Sequence, residues 1–201
     1  MFKKLAADAL GLSDIGVVVG PADYDKVDAD DYLFHEDKEK IFFLIKSKKD
    51  EYCFTNLALV HVDGDSAVST KRSIKRYPWS TSLVREVAIE TAGTVDLDVE
   101  LKFVVDDVKF SIDVRKNFIE QLKDVYKALT SIGRQQEREA QARQHALHAA
   151  NVLGAMYKLS GAEPEAVSRQ YVALLDALNW AVLDRHTTKD FGAIFEKYIH
   201  A

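Results

Sequence analysis

The most constraining stretch of this chain lies between residues 97 and 114, where side chains alternate with a period of two. Leu97, Val99, Leu101 and Phe103 point one way, and Asp98, Glu100 and Lys102 point the other. After Asp106-Asp107, Val108, Phe110, Ile112 and Val114 alternate in the same manner with Lys109, Ser111 and Asp113. A helix cannot hold such a pattern on one face. An antiparallel strand pair with one buried side and one wet side does.

Strand-like segments precede this pair at Ile41 to Lys46, Glu51 to Thr55, Leu57 to Val62, Ser73 to Pro78 and Val84 to Thr91. Turn-forming residues separate them: Ser47-Lys48-Lys49-Asp50, Asp63-Gly64-Asp65 and Ala92-Gly93. Behind the seventh strand, Phe118, Leu122, Val125, Leu129 and Ile132 recur at steps of four and three. That spacing makes a single apolar helical stripe, suited to closing one end of a curled sheet. The expected fold class is therefore α+β: a seven-stranded antiparallel β-barrel capped by a helix. Residues 1–39 form an irregular leader, read as solvated.

After Gly133 the composition changes again, with no strand signal. Arg134 to Leu159 is rich in Ala, Gln, Glu and Arg, with Ala146, Ala149, Ala150, Leu153, Met156 and Tyr157 along its apolar side. Ser160-Gly161 interrupts the helix, and Pro164 suits the first turn of the next. Val167, Tyr171, Leu174, Leu175, Leu178 and Val182 follow, and Thr187 or Thr188 is placed to cap a last short helix with Phe191, Ile194, Phe195 and Tyr198. The division expected is residues 1–133 for the barrel and 134–201 for an α-helical hairpin. Two helices cannot hide this much apolar surface by themselves, so either the chain's own barrel or another copy must cover it, and self-association is the favoured reading. The tail positions expected to meet other copies of the chain are Ala146, Ala150, Leu153, Tyr157, Tyr171, Leu174, Leu178, Phe191 and Phe195.

Charge narrows the partners. Residues 1–40 carry 5 Lys and Arg against 10 Asp and Glu, whereas residues 41–133 carry 14 of each and residues 134–201 carry 8 of each. No basic stripe answers a phosphate backbone, so nucleic acid is not an expected partner. The single cysteine, Cys53, rules out an intrachain disulfide. With no signal-like start and no run of roughly 20 apolar residues, a cytoplasmic location is expected.

Seven strands followed by a helix is also the order of the pleckstrin-homology (PH) fold. Phe54-Thr55-Asn56, Tyr77-Pro78-Trp79-Ser80-Thr81-Ser82 and the run Glu90 to Lys102 resemble the bacterial pleckstrin-homology family. The tail resembles the YvbH-like oligomerisation region that accompanies this domain in some bacterial proteins. Where the family has an Arg-Asp pair before the Phe-Thr-Asn segment, this chain has Lys49-Asp50-Glu51. The resemblance implies a PH-like barrel, homo-oligomers and no settled enzymatic activity.

Three charged groupings remain. Lys46, Lys48, Lys49, Lys71 and Arg72 belong to loops at one barrel end and form the candidate rim for an anionic lipid headgroup. Asp50, Glu51, Asp63, Asp65, Asp106 and Asp107 share those loops and offset the field. Asp96, Asp98 and Glu100 line one strand face, answered either by cations in the same sheet or by a neighbouring subunit, which would make this an interface strand. His145 and His148 lie three apart without further ligands, and Asp23 to Asp31 lacks a calcium loop's pattern. No nucleophile, base and stabiliser come together, so no catalytic residue, cofactor or metal is expected. The reading that emerges is a non-catalytic homo-oligomeric PH-like scaffold or protein-binding module, with a peripheral membrane or anionic-lipid-binding module as the alternative.

Overall fold

The computed structural model describes residues 13–64, 72–91, 98–156 and 163–199, without the side chains of 153–156, 164 and 183. The described residues form eight strands: β1 (Val17–Val18), β2 (Ile41–Lys46), β3 (Glu51–Thr55), β4 (Ala58–Gly64), β5 (Arg72–Pro78), β6 (Val84–Thr91), β7 (Asp98–Val105) and β8 (Val108–Arg115). The helices are α1 (Ile119–Met156), α2 (Pro164–Asn179), continued by a π-helical turn at Trp180–Asp184, and α3 (Gly192–Tyr198).

The seven strands expected from alternation are present as β2 to β8, but they do not form one closed barrel. β1 to β5 make a five-stranded antiparallel sheet in sequential order, and β6 to β8 make a separate three-stranded one. The eighth strand comes from the leader. Gly16 joins the two sheets: its N–H donates to Asp113 O (2.7 Å), and Arg115 N–H donates to Gly16 O (3.0 Å). A Cβ on Gly16 would stand 2.7 Å from Ile45 Cγ2 and 3.1 Å from Asp113 O, so only glycine lets the leader cross there. β5 and β6 stand at the ends of their sheets and are not paired with each other.

The leader is not a solvated strip. Its short 3-10 turns between Pro21 and Asp37 place Val27, Ala29 and Leu33 against Leu44, Cys53, Ala58, Val60 and Val62 on the outer face of the five-stranded sheet. The inner face carries Phe43, Ile45, Phe54 and Leu59 into the main core, with Leu101, Phe103, Ile112 and Val114 of the second sheet and Leu122, Val125, Leu129 and Ile132 of α1. β2 to β4 therefore bury side chains on both faces, which explains why they read as nearly continuous apolar runs. β7 and β8 have one wet face and alternate cleanly.

Gly133 lies inside a continuous helix of 38 residues rather than between two helices. Its role is close approach: an added Cβ would come within 2.6 Å of the backbone oxygen of Val84. The chain divides into two compact units, one running to Gly133 and resumed from Lys189, the other Arg134–Thr188. The last segment of the expected hairpin region thus belongs with the barrel.

Glycine in a helix interior normally gains about 1 kcal/mol on replacement by alanine. Gly133→Ala should instead destabilise the protein, by about 1–3 kcal/mol, because the backbone of β6 must give way. Gly20→Ala, where nothing lies within 4 Å, should stay within about 0.5 kcal/mol of the parent in urea unfolding. Equal midpoints for the two variants would contradict the packing described.

Candidate functional site

The Phe54-Thr55-Asn56 and Pro78-Trp79 segments meet at one end of the first unit, where they build a seat for the last helix. Thr55 is fully buried; its Oγ1 donates to Glu39 Oε1 (2.5 Å) and accepts from Ala58 N–H (2.9 Å), while its backbone oxygen accepts from Trp79 Nε1 (2.8 Å). Asn56 is 2% exposed and works on both sides. Its Oδ1 accepts from Lys40 N–H (2.9 Å) and its Nδ2 donates to Asp190 Oδ2 (2.8 Å), while Phe191 N–H donates to Asn56 O (2.8 Å). Asp190 Oδ1 accepts from Gly192 N–H (2.7 Å) and so starts α3.

Behind this polar clasp the aromatic rings settle into the core. Phe195 stacks on Phe42 with ring centres 5.3 Å apart and meets Trp79 at 6.3 Å. Ser131 Oγ donates to Tyr198 Oη (3.1 Å), and Lys40 pairs with Glu196 at 3.0 Å. Phe191 and Phe195, expected on an exposed interface, are 1% and 0% exposed. They are core residues of their own barrel, because Asn56 and Asp190 fix the chain's return and the core lacks two rings without them. Neither Thr187 nor Thr188 caps α3.

Thr188 is engaged elsewhere, within the second unit. Its N–H and Oγ1 donate to Glu139 (3.0 and 2.5 Å), Gln135 Nε2 donates to Glu139 Oε1 (3.0 Å), and Arg143 Nη1 donates to His186 O (2.5 Å). Partial burial works against ionisation of Glu139. The hydrogen bonds from Thr188 and Gln135 and the charge of Arg143 outweigh it and hold the carboxyl below its ordinary range.

Much of the rest of that unit is exposed. None of the described side chains of α2 is buried, and Tyr171, Val172, Leu174 and Leu175 are exposed by 63%, 51%, 43% and 43%. Leu178 is half-buried, as are Ala146 and Ala150 on α1, where Leu147 and Val152 are exposed. Tyr157 and the Leu153 side chain lie outside the described residues. Trp180, opening the π-helical turn, is also exposed, with Arg185 over its ring at 5.3 Å.

Three of the five expected rim cations face carboxylates of their own chain. Lys46 is buried and paired with Glu51, whose carboxylate also accepts from Asp28 N–H (3.1 Å) and Ala29 N–H (2.7 Å). Lys46 is thus a leader anchor. Lys49 faces Asp14 (3.9 Å), Arg72 faces Asp28 (3.8 Å), and Lys48 is exposed, its backbone N–H bonded to Ser13 O. Lys71 lies outside the described residues.

On the acidic strand face, Glu100 is answered from within its own sheet. Glu100 accepts from Ser111 and pairs with Lys102 (2.9 Å), which also holds Glu90 (2.8 Å). The Ser111 bond, then Lys102, keeps the Glu100 carboxyl below its usual range, whereas burial and the facing Glu100 and Asp98 charges push Asp113 up. Asp98 stands opposite Arg115 in the register. Asp96 lies outside the described residues. Cys53 is buried in the outer cluster, its thiol pushed well up by burial and by Glu51, Glu39 and Asp30, which is the reverse of an activated nucleophile.

Sequence reasoning missed the Asn56–Asp190 clasp because its partners are 134 residues apart. Asn56 stood in a recognisable segment, but nothing local named what it holds. Glu39 and Glu51 escaped notice as ordinary leader and strand acids.

Comparison with known proteins agrees with this architecture. The bacterial PH domain family matches residues 9–132, stopping short of the segment that fills the seat. A Bacillus subtilis (strain 168) protein described as uncharacterized protein YvbH is 52% identical over 209 positions, covering all of both chains. The crystal structure of a PH-domain-containing bacterial protein from Exiguobacterium sibiricum 255-15 superposes with a TM-score of 0.84. It is 45% identical and covers 92% of this chain and 100% of its own.

Two outcomes follow from the geometry. Asp190→Ala, which leaves the buried Asn56 amide without its carboxylate, should cost about 1–3 kcal/mol, and Asn56→Ala, whose partner Asp190 is exposed, about 1 kcal/mol. Together they should cost less than their sum in a double-mutant cycle; strict additivity would contradict the clasp. For Glu139, the folded carboxyl titrates below its unfolded value, so its contribution is complete above the unfolded value and lost as pH falls through the folded one. Protection of the Thr188 amide from hydrogen exchange should drop on that descent, and Glu139→Gln should abolish the dependence. A pH-independent protection factor in the parent would contradict it.

Proposed function

This chain belongs to the bacterial PH-domain family, and from that premise we propose that it is a non-catalytic module that works as a homo-oligomer. The barrel is the rigid body and the 134–188 unit is the device that joins copies. The observation that carries the reading is α2, a helix with an apolar stripe and no buried side chain among those described. Stable monomers rarely leave a contiguous apolar patch of this kind in water.

The chemistry of the helix favours a protein partner over a lipid surface. Across Pro164–Asp184 the charged residues are Glu165, Arg169, Asp176 and Asp184, three acids against one base. Helices that lie on anionic membranes carry Lys and Arg on their polar face. Among the described residues no helix is long and apolar enough to cross a membrane. Of the rim cations, the other feature that invited a lipid, Lys46, Lys49 and Arg72 face carboxylates of their own chain.

The non-catalytic part of the reading is supported by the buried acids. Glu39 holds Arg76, Thr55 and Phe34 N–H, and Glu51 holds Lys46 and the leader backbone. Both are engaged in structure. Joining several copies raises the effective affinity of a weakly binding module without new contacts, which gives self-assembly a use.

Light scattering on the purified protein should give a mass that is a multiple of 22.6 kDa. Tyr171→Asp with Leu174→Asp should bring it to a single chain with an unchanged barrel by near-ultraviolet circular dichroism. A parent at the single-chain mass, or a variant still at the parent's multiple, contradicts the proposal. Cosedimentation with phosphatidylserine vesicles by the parent would favour the lipid reading instead.

A further inference from the structure

We propose that the second unit carries a binding site for a small phosphate-bearing anion, held by Arg138 and His186 over the Glu139–Thr188 network. The place is an open cleft of about 350 Å³ lined by Gln135, Arg138, Glu139, Ala142 and His186. All five residues belong to the Arg134–Thr188 unit, so the cleft lies within it. Its volume is at the lower end of the range for small-molecule sites.

The floor of the cleft is already satisfied. Gln135 Nε2 donates to both Glu139 Oε1 (3.0 Å) and Thr188 Oγ1 (2.7 Å), and Thr188 donates twice to Glu139. Glu139 is the one carboxylate among the lining residues, and Arg143 stands close enough to answer its charge. Arg143 is itself fixed by donating to His186 O (2.5 Å), which anchors the backbone that carries the imidazole. This network is complete without Arg138.

Two sets of donors remain. Arg138 is exposed and His186 half-buried, and neither side chain has a hydrogen-bond or ion-pair partner among the described residues. A lone exposed arginine is ordinary; this one borders a cleft that holds a second unpartnered donor. Across residues 134–143 and 184–188 the chain has four Arg against Glu137, Glu139 and Asp184, a positive balance in a chain of net charge −5. An arginine presents five N–H donors in a planar fork and favours oxyanions that accept two of them at once. A phosphoryl group has three oxygens pointing in different directions, so it can accept from the fork and from an imidazole N–H together. A carboxylate has two oxygens in one plane and matches the fork alone.

Titration of the full-length, nitrogen-15-labelled protein with inorganic phosphate at constant ionic strength is followed by nuclear magnetic resonance. The expected result is saturable shifts confined to the cleft, Arg138 Nε and the His186 ring among them, with a dissociation constant in the millimolar range or tighter. Arg138→Gln should weaken the affinity by about tenfold or more, since a charge-assisted contact is lost. Arg138→Lys, which keeps the charge without the fork, should fall between the two. Arg138 is exposed and has no internal partner, so both variants keep the fold, and an unchanged Thr188 amide signal before phosphate is added checks this.

Two further arms identify what carries the phosphoryl group. Glycerol 3-phosphate stands for a soluble ester, and phosphatidylcholine vesicles containing phosphatidic acid stand for a lipid headgroup. Binding of either that Arg138→Gln removes supports the site and assigns its source; a response to inorganic phosphate alone supports the site and assigns it to the free ion. Shifts that grow without saturating, an Arg138→Gln affinity equal to the parent's, or an equal response to sodium acetate overturns the proposal.

Discussion

The structure depends on two rings contributed by the end of the chain. Phe191 and Phe195 complete a core otherwise built from two sheets and the first part of α1, and a buried amide, Asn56, holds them there through Asp190. Without them, Phe42 and Trp79 would face water at the end of the barrel. A buried asparagine that satisfies one backbone N–H and one carboxylate leaves little freedom for an alternative seat, because any other arrangement strands polar atoms in an apolar setting. This is how a terminal segment far away in sequence becomes part of the domain.

The second constraint is the leader. Its acids suggested a solvated strip, yet the carboxylate that matters is Glu51, which reaches out of β3 to cap the backbone of Asp28 and Ala29. Lys46 neutralises that buried charge from the neighbouring strand. β2 to β4 are thus covered on both faces, and Cys53 is enclosed with them. The same interaction engages Lys46 within its own chain instead of leaving it to a lipid rim.

Strand order and limits were legible in the sequence because period-two alternation is local and each turn announced itself. The starts and ends of β2, β3, β5, β6 and β8 fall within a residue or so of those read from the pattern. What was not legible depends on distance or on glycine geometry. Gly133 reads as a helix break, and only the nearness of Val84 O shows that it permits contact within a helix. Phe191 and Phe195 have the spacing of an amphipathic face, which is the same whether the face meets the chain's own barrel or another copy. Their placement in the core removes two residues from the assembly surface and leaves Tyr171, Leu174 and their neighbours on α2 to carry it. Sharing that load among fewer residues makes the account easier to contradict.

The most direct check follows backbone hydrogen exchange in residues 165–179 of the unmodified protein across a dilution series. If copies cover α2, its amides should be protected at high concentration and lose that protection on dilution, while those of Gly192–Tyr198 keep theirs wherever the seat stays filled. Protection of α2 that is the same at every concentration would contradict the account.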